Sequence, residues 1–162
     1  MSSGAYKWFA PKVFQHCQQT MERLHDHHLT FVRNFNNSVF AAASFNFGPR
    51  AVTYEHRDSS NLLYGWCAIY CNGNFDLMKG GHLILHQLRL LIEFPPSSTI
   101  LIPSATLTHG NIAIAPGETQ SSFTQYIAGS LFCWVYCGFW SWKDLEKEDA
   151  ERAHSSKEGA DQ

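Results

Sequence analysis

Apolar residues recur every third or fourth position near the start of the chain, at Val13, Cys17, Met21 and Leu24. That spacing puts them on one helical face and predicts helix over residues 6–33, with Pro11 near a helix start. Asn34, Asn36 and Asn37 break the pattern. From Val39 the character changes to short apolar or alternating runs at 39–47, 51–57, 64–71, 81–94, 99–108 and 120–128. Turn signals separate them: Gly48-Pro49, Asn72-Gly73-Asn74, Gly80-Gly81, Pro95-Pro96 and Pro116-Gly117. Strands at this spacing predict an all-β sandwich or barrel. Thr119 to Trp142 carries no formal charge, but Gln120, Ser121, Ser122, Thr124 and Gln125 make its first half polar. A buried strand followed by a short helix or loop is expected there, not a membrane span. From Lys143 the chain turns charged, which predicts a short helix running into a disordered tail over Ser155 to Gln162. The expected parts are a helical N-terminal arm (1–38), a β domain (39–142) and a charged tail (143–162).

Composition narrows the class. At 162 residues and 18.4 kDa the chain has the size of one ordinary domain. With 44% hydrophobic and 16% charged residues it is not a mostly disordered chain. The net charge of −2 implies no broad basic surface, so any nucleic-acid contact must use a local patch. Five cysteines, an odd number, do not make a disulfide framework. Met1 to Lys12 lacks the apolar run of a signal peptide, and an intracellular, reducing compartment is expected.

The informative tripeptide is His56-Arg57-Asp58. On a strand, residues i and i+2 share a face, so His56 and Asp58 can bind one ion while Arg57 points away. A third ligand must come from a distant strand, and His109 follows the apolar run that starts near Thr99. Two imidazoles and a carboxylate form the facial triad of non-haem Fe(II) oxygenases, with one face of the octahedron open. The alternative is a pair of solvated polar residues at a strand end. His25 and His28 would share a helical face and form a second candidate pair, against a plain solvated helix end. Cys67/Cys71, Cys133/Cys137 and His82/His86, if on strands, lie roughly 13 Å apart within each pair, too far for one ion. They read as core or surface residues. There is no Gly-rich phosphate loop and no Gly-x-Ser-x-Gly elbow.

The order Gly80-Gly81-His82-Leu83-Ile84-Leu85, Phe94-Pro95-Pro96, Thr99 to Ser104, His109 and Pro116-Gly117-Glu118 resembles the double-stranded β-helix of 2-oxoglutarate-dependent dioxygenases. His56-Arg57-Asp58-Ser59-Ser60-Asn61 resembles the His-Arg-Asp-x-x-Asn signature of the TET/JBP oxygenases, which oxidise methylated pyrimidines in nucleic acid. From Phe40 to Phe139 the chain is similar to their large fungal, often transposon-associated branch. Ala41 to Arg50 and Ser122-Phe123-Thr124-Gln125-Tyr126 also fit that branch.

The resemblance implies a jelly-roll core behind a helical arm, Fe(II) held by His56, Asp58 and His109, and 2-oxoglutarate as cosubstrate. It also implies nucleic acid as partner, a nuclear location and no membrane. Asn61 stands where the family places an amide that bonds the target base, although a turn residue satisfying its own backbone is the alternative. The chain departs from the pattern at the last strand. Gln120 and Ser122 stand where Arg-x-Ser is expected, and the arginine there would fork onto the far carboxylate of 2-oxoglutarate. Arg50 is the candidate to replace that charge, against a solvated residue after Pro49. Two other readings therefore stand beside an active oxygenase: a non-catalytic copy acting as a binding module, and a cupin-like metal protein with another cosubstrate.

Overall fold

The computed structural model describes residues 2–148. The N-terminal helical stretch is two helices, α1 (Ser2–Phe9) and α2 (Pro11–His27), separated at Ala10. Proline has no N–H to donate and is suited to a first helical position, so Pro11 starts a helix instead of continuing one. In α2 the buried face is Cys17, Thr20, Met21 and Leu24, at helical spacing.

Seven strands follow: β1 (Ala42–Asn46), β2 (Cys67–Asn74), β3 (Leu83–Leu85), β4 (Leu90–Ile92), β5 (Thr99–Ile102), β6 (His109–Asn111) and β7 (Thr119–Tyr126). Two helices close the described chain, α3 (Gly129–Tyr136) and α4 (Trp142–Glu148). The strands form two antiparallel sheets, ordered β1-β7-β2-β5 and β4-β3-β6. Packed face to face behind the N-terminal helices, they make a double-stranded β-helix core.

The core has two layers, and β2 belongs to both. Cys67, Ile69 and Cys71 point between the sheets, where they meet Leu83, Leu85, Phe94 and Ile102. Ala68 points the other way, into a cluster with Tyr6, Cys17, Phe40, Ile127 and Phe132. Burial of both faces explains why this strand reads as an almost continuous apolar run. Tyr6 lies between the rings of Phe40 and Trp66, with centroids 5.8 and 5.5 Å away, and ties α1 to the barrel. Each fully buried aromatic or aliphatic side chain of this kind contributes about 1.5–3 kcal/mol.

Three sequence expectations change. The run 81–94 is not one strand: His86 to Arg89 forms a turn, closed by the Arg89 N–H on the His86 carbonyl at 3.1 Å, and splits it into β3 and β4. The run 51–57 is no strand: it meets the sheets through one isolated bridge, His56 to His109, and through bonds to Gln120 and Asn111. The run 99–108 is a strand only to Ile102; His109 follows it, as expected, and opens a further short strand. The uncharged stretch does contain a strand and then a short helix, and α4 covers the start of the charged segment. The proposed disordered tail, Ser155 to Gln162, lies outside the described residues. Among those described, no helix is long and apolar enough to cross a membrane.

Candidate metal centre

Residues 50–58 cross from one sheet to the other. At the first end, the Ala51 N–H donates to the Gln120 carbonyl at 3.0 Å, and the Gln120 N–H to the Pro49 carbonyl at 2.6 Å. At the second end, His56 and His109 exchange backbone bonds of 3.0 and 2.9 Å. Between them Asn111 acts as a clamp. Its Oδ1 accepts the Thr53 N–H at 2.6 Å, and its Nδ2 donates to the Ala51 carbonyl at 3.1 Å. The segment presses so close to β6 that a Cβ on Gly110 would meet the Thr53 carbonyl oxygen at 2.8 Å. Glycine is required there because the neighbour is backbone and cannot swing aside. Gly110→Ala should displace His56 from His109 and cost metal affinity about 10- to 100-fold, the scale of lost outer-shell support, in a calorimetric metal titration. Unchanged affinity would mean that the crossing segment does not fix the site.

The crossing brings His56, Asp58 and His109 together. One ligand atom from each lies within 4.8 Å of the others, and His56 Nε2 is 3.5 Å from Asp58 Oδ1. Among the described residues this is the one group of three or more His, Cys, Asp or Glu side chains so placed. Both imidazoles are oriented in the same way. The Nδ1 of His56 bonds the Tyr54 carbonyl and that of His109 the Leu107 carbonyl, each at 2.9 Å. A carbonyl only accepts, so each Nδ1 carries the proton and each Nε2 presents its lone pair. Burial pushes the His109 imidazole below its usual range, which keeps that lone pair free at neutral pH. These residues fit a divalent transition metal, and the two-imidazole, one-carboxylate set is consistent with Fe(II).

Asp58 is fixed from two sides. Its N–H donates to the Ser104 carbonyl at 3.0 Å, and its Oδ2 accepts from Asn61 Nδ2 at 3.2 Å. The same Asn61 amide donates to Ser104 Oγ at 3.1 Å. Both donors of Asn61 are thus used inside the protein, and only Oδ1 is left for anything entering from outside. The sequence suggested a base-reading role for Asn61; the geometry adds a grip on the carboxylate ligand. Asn61→Ala is therefore expected to weaken metal binding about 10- to 100-fold. Wild-type metal affinity in that variant would exclude the grip.

The triad opens on a cavity of about 450 Å³ between the sheets. Alternate residues of β7, namely Gln120, Ser122, Thr124 and Tyr126, form one wall, with Ser44 and Asn46 of β1 beside them. Gln120 is buried, and its amide is held internally: Oε1 accepts from Asn111 Nδ2 at 3.1 Å, and Nε2 donates to the Gly81 carbonyl at 3.4 Å. Arg50 pairs with Gln120 through an isolated backbone bridge, but it is exposed and is not among the residues that line the cavity. Arg57, on irregular chain, is exposed and is also among the residues that line the cavity. It is the one Lys or Arg among the described lining residues, and it sits between two ligands of the triad. The Gln120 wall offers a second carboxylate no counter-charge, so 2-oxoglutarate does not fit this cavity as the resemblance implies.

The other candidate ligands have other roles. His28 Nε2 accepts the Trp134 indole N–H at 3.1 Å, and its ring stacks on Phe31, which uses the lone pair a metal would need. Cys67 and Cys71 are core residues of β2. Cys133 and Cys137 lie on α3 and at its end, so the strand-spacing argument does not apply to them. Sequence reasoning missed Asn111 altogether. Its only signal was the i+2 spacing from His109, which places both on one strand face.

The double-stranded β-helix and its His-Asp-His triad define a 2-oxoglutarate/Fe(II) dioxygenase-like fold. No family model matches the sequence, and no curated protein gives a significant match. Among solved structures the chain is similar to NgTET1 in complex with 5mC DNA, at 17% identity and a TM-score of 0.50 over 65% of this chain and 42% of that one. It is also similar to the viral collagen prolyl hydroxylase vCPH from Paramecium Bursaria Chlorella virus-1 in its 2OG complex, at 13% identity and a TM-score of 0.39 over 68% and 70% of the two chains. At these identities the likeness is one of fold. The chain spans less than half the length of the NgTET1 chain it matches.

Proposed function

We propose that this chain is an Fe(II)-binding oxygenase domain whose substrate is a methylated base presented by nucleic acid. The observation that carries the reading is the convergence of two oriented Nε2 lone pairs and a braced carboxylate on one point of an open cavity. In this reading His56, Asp58 and His109 would hold the metal, which would supply oxidation of a substrate C–H bond by O2 with a 2-oxo acid as the two-electron co-reductant. The protein's own part is to fix the ligands, shape the cavity and orient the substrate. A base must leave its stack to bring a methyl group to such a centre. Asn61 Oδ1, with both amide donors spent on Asp58 and Ser104, then acts as an acceptor towards an exocyclic amine. The TET/JBP assignment, its fungal transposon-associated branch and the nuclear location belong to this reading. The TET/JBP part rests on His56-Arg57-Asp58-Ser59-Ser60-Asn61 together with the NgTET1-like fold, and the branch and the location on the sequence resemblance alone. The division into an arm (1–38), an oxygenase unit (39–142) and a charged segment (143–162) also belongs to this reading, with the arm completing the unit's outer core through Tyr6 and Cys17.

The neutral, internally bonded Gln120 favours a second reading, a family copy that keeps the fold and binds nucleic acid without turnover. The two part in one assay. The Fe(II)-loaded chain is incubated aerobically with duplex DNA carrying a single 5-methylcytosine and a panel of 2-oxo acids, and the nucleosides are analysed by mass spectrometry. A gain of one oxygen on the base, lost in Asp58→Ala, supports the oxygenase. Methylation-dependent binding with no oxidised base supports the binding module. Neither outcome, with metal bound, overturns nucleic acid as the partner.

A further inference from the structure

The cavity wall formed by β7 and β1 is uncharged, and its side chains offer neutral hydrogen-bonding groups. Asn46 Nδ2 donates to Ser122 Oγ at 2.9 Å. That bond leaves the Ser122 O–H to donate, and it leaves Asn46 its second amide N–H to donate and its Oδ1 to accept. Gln120 adds no further donor of weight, because its Nε2 already faces the Gly81 carbonyl and the Cys71 sulfur, 3.7 Å away. Neutral donors beside a neutral acceptor complement a primary amide, which accepts at its carbonyl and donates at its NH2.

Charge at the other end sets a second condition. A divalent ion on the triad has one of its charges matched by Asp58, and a chelating ligand with a single carboxylate matches the other. Arg57, the lone lining cation, stands at this metal end and not at the Gln120 wall. A ligand bearing a second carboxylate would place it against Gln120, Ser122 and Asn46, none of which carries a charge, and an uncharged end loses less by leaving water there.

We propose that the cavity takes a 2-oxo acid with an uncharged primary-amide end, held by Ser122 and Asn46, in place of the dicarboxylate. The proposal rests on the reading of His56, Asp58 and His109 as a metal site. It replaces the cosubstrate implied by the resemblance with a different chemical class, chosen by the side chains of this chain.

The experiment is anaerobic calorimetry on the full chain. Fe(II) alone is titrated first, followed by 2-oxoglutarate, its 5-amide 2-oxoglutaramate, and 2-oxopentanoate as an apolar control of similar length. The expected result is that Fe(II) binds and the amide acid binds at least ten-fold tighter than either of the others. Ser122→Ala should reduce that preference to less than three-fold, with Fe(II) still bound as the check on folding. If Fe(II) does not bind, the metal-site reading fails and this proposal with it. With Fe(II) bound, a dicarboxylate at least as tight as the amide overturns the amide pocket alone. Equal binding of amide and apolar acids, a preference that survives Ser122→Ala, or binding of none of the acids does the same.

Discussion

His109→Ala is expected to reduce Fe(II) affinity by at least about 100-fold while leaving the barrel folded. Of the three ligands His109 is the most enclosed, and its Nε2 is aimed by the Leu107 carbonyl and kept unprotonated by burial. No neighbouring side chain can take its place, since no other His, Cys, Asp or Glu among the described residues joins the group. The pairing of residue 109 with His56 runs through main-chain atoms, so the ladder survives truncation of the side chain. The truncated side chain borders an existing cavity, which limits the packing loss. Anaerobic Fe(II) calorimetry, with circular dichroism as the fold check, measures the effect. A folded variant with wild-type affinity would place the metal elsewhere and end the oxygenase reading.

Gln120→Arg is expected to raise affinity for 2-oxoglutarate about 10- to 100-fold, since a charge-assisted bond to a carboxylate contributes about 1.5–3 kcal/mol. The position is right for it: Gln120 lies on the same face of β7 as Ser122, and the Gly81 carbonyl that now takes the amide can take one guanidinium N–H. The substitution buries a cation, so the ligand-free variant should melt earlier than the parent and recover when the dicarboxylate is added. Its preference between amide and dicarboxylate should also invert. Arg50→Ala is the control. Arg50 is exposed and off the cavity, so its loss should leave 2-oxo acid binding unchanged. Loss of binding in Arg50→Ala would show that Arg50 reaches the ligand after all.

The architecture was legible because its elements follow local rules. Cys17, Met21 and Leu24 mark the buried face of α2 by spacing alone, and β2, β5 and β7 lie within or beside the apolar runs that announced them. The ends were less legible. Arg89 stops the 81–94 run in a turn with its φ at +52°, a conformation that no apolar pattern encodes.

The sequence by itself determined the chemistry available. His56-Arg57-Asp58-Ser59-Ser60-Asn61, His109 and the neutral Gln120 are chain facts, and from them come the ligand set and the misfit of a dicarboxylate. Only the tertiary structure decided how those groups meet. The sequence expected a strand to carry His56 and Asp58; instead an irregular crossing does so, pinned by Asn111 from a different element and admitted by the missing side chain of Gly110. It offered Arg50 as a replacement charge, against a solvated turn residue, and expected Arg57 to turn away; in the fold Arg50 is exposed and outside the lining, and Arg57 is among the lining residues. It left Asn61 to the substrate, whereas the fold brings Asp58 and Ser104 within reach of both its donors. The physical reason is the same in each case. Periodicity predicts facing only where the backbone is regular, and here the ligands sit on chain whose path is set by hydrogen bonds to residues distant in sequence.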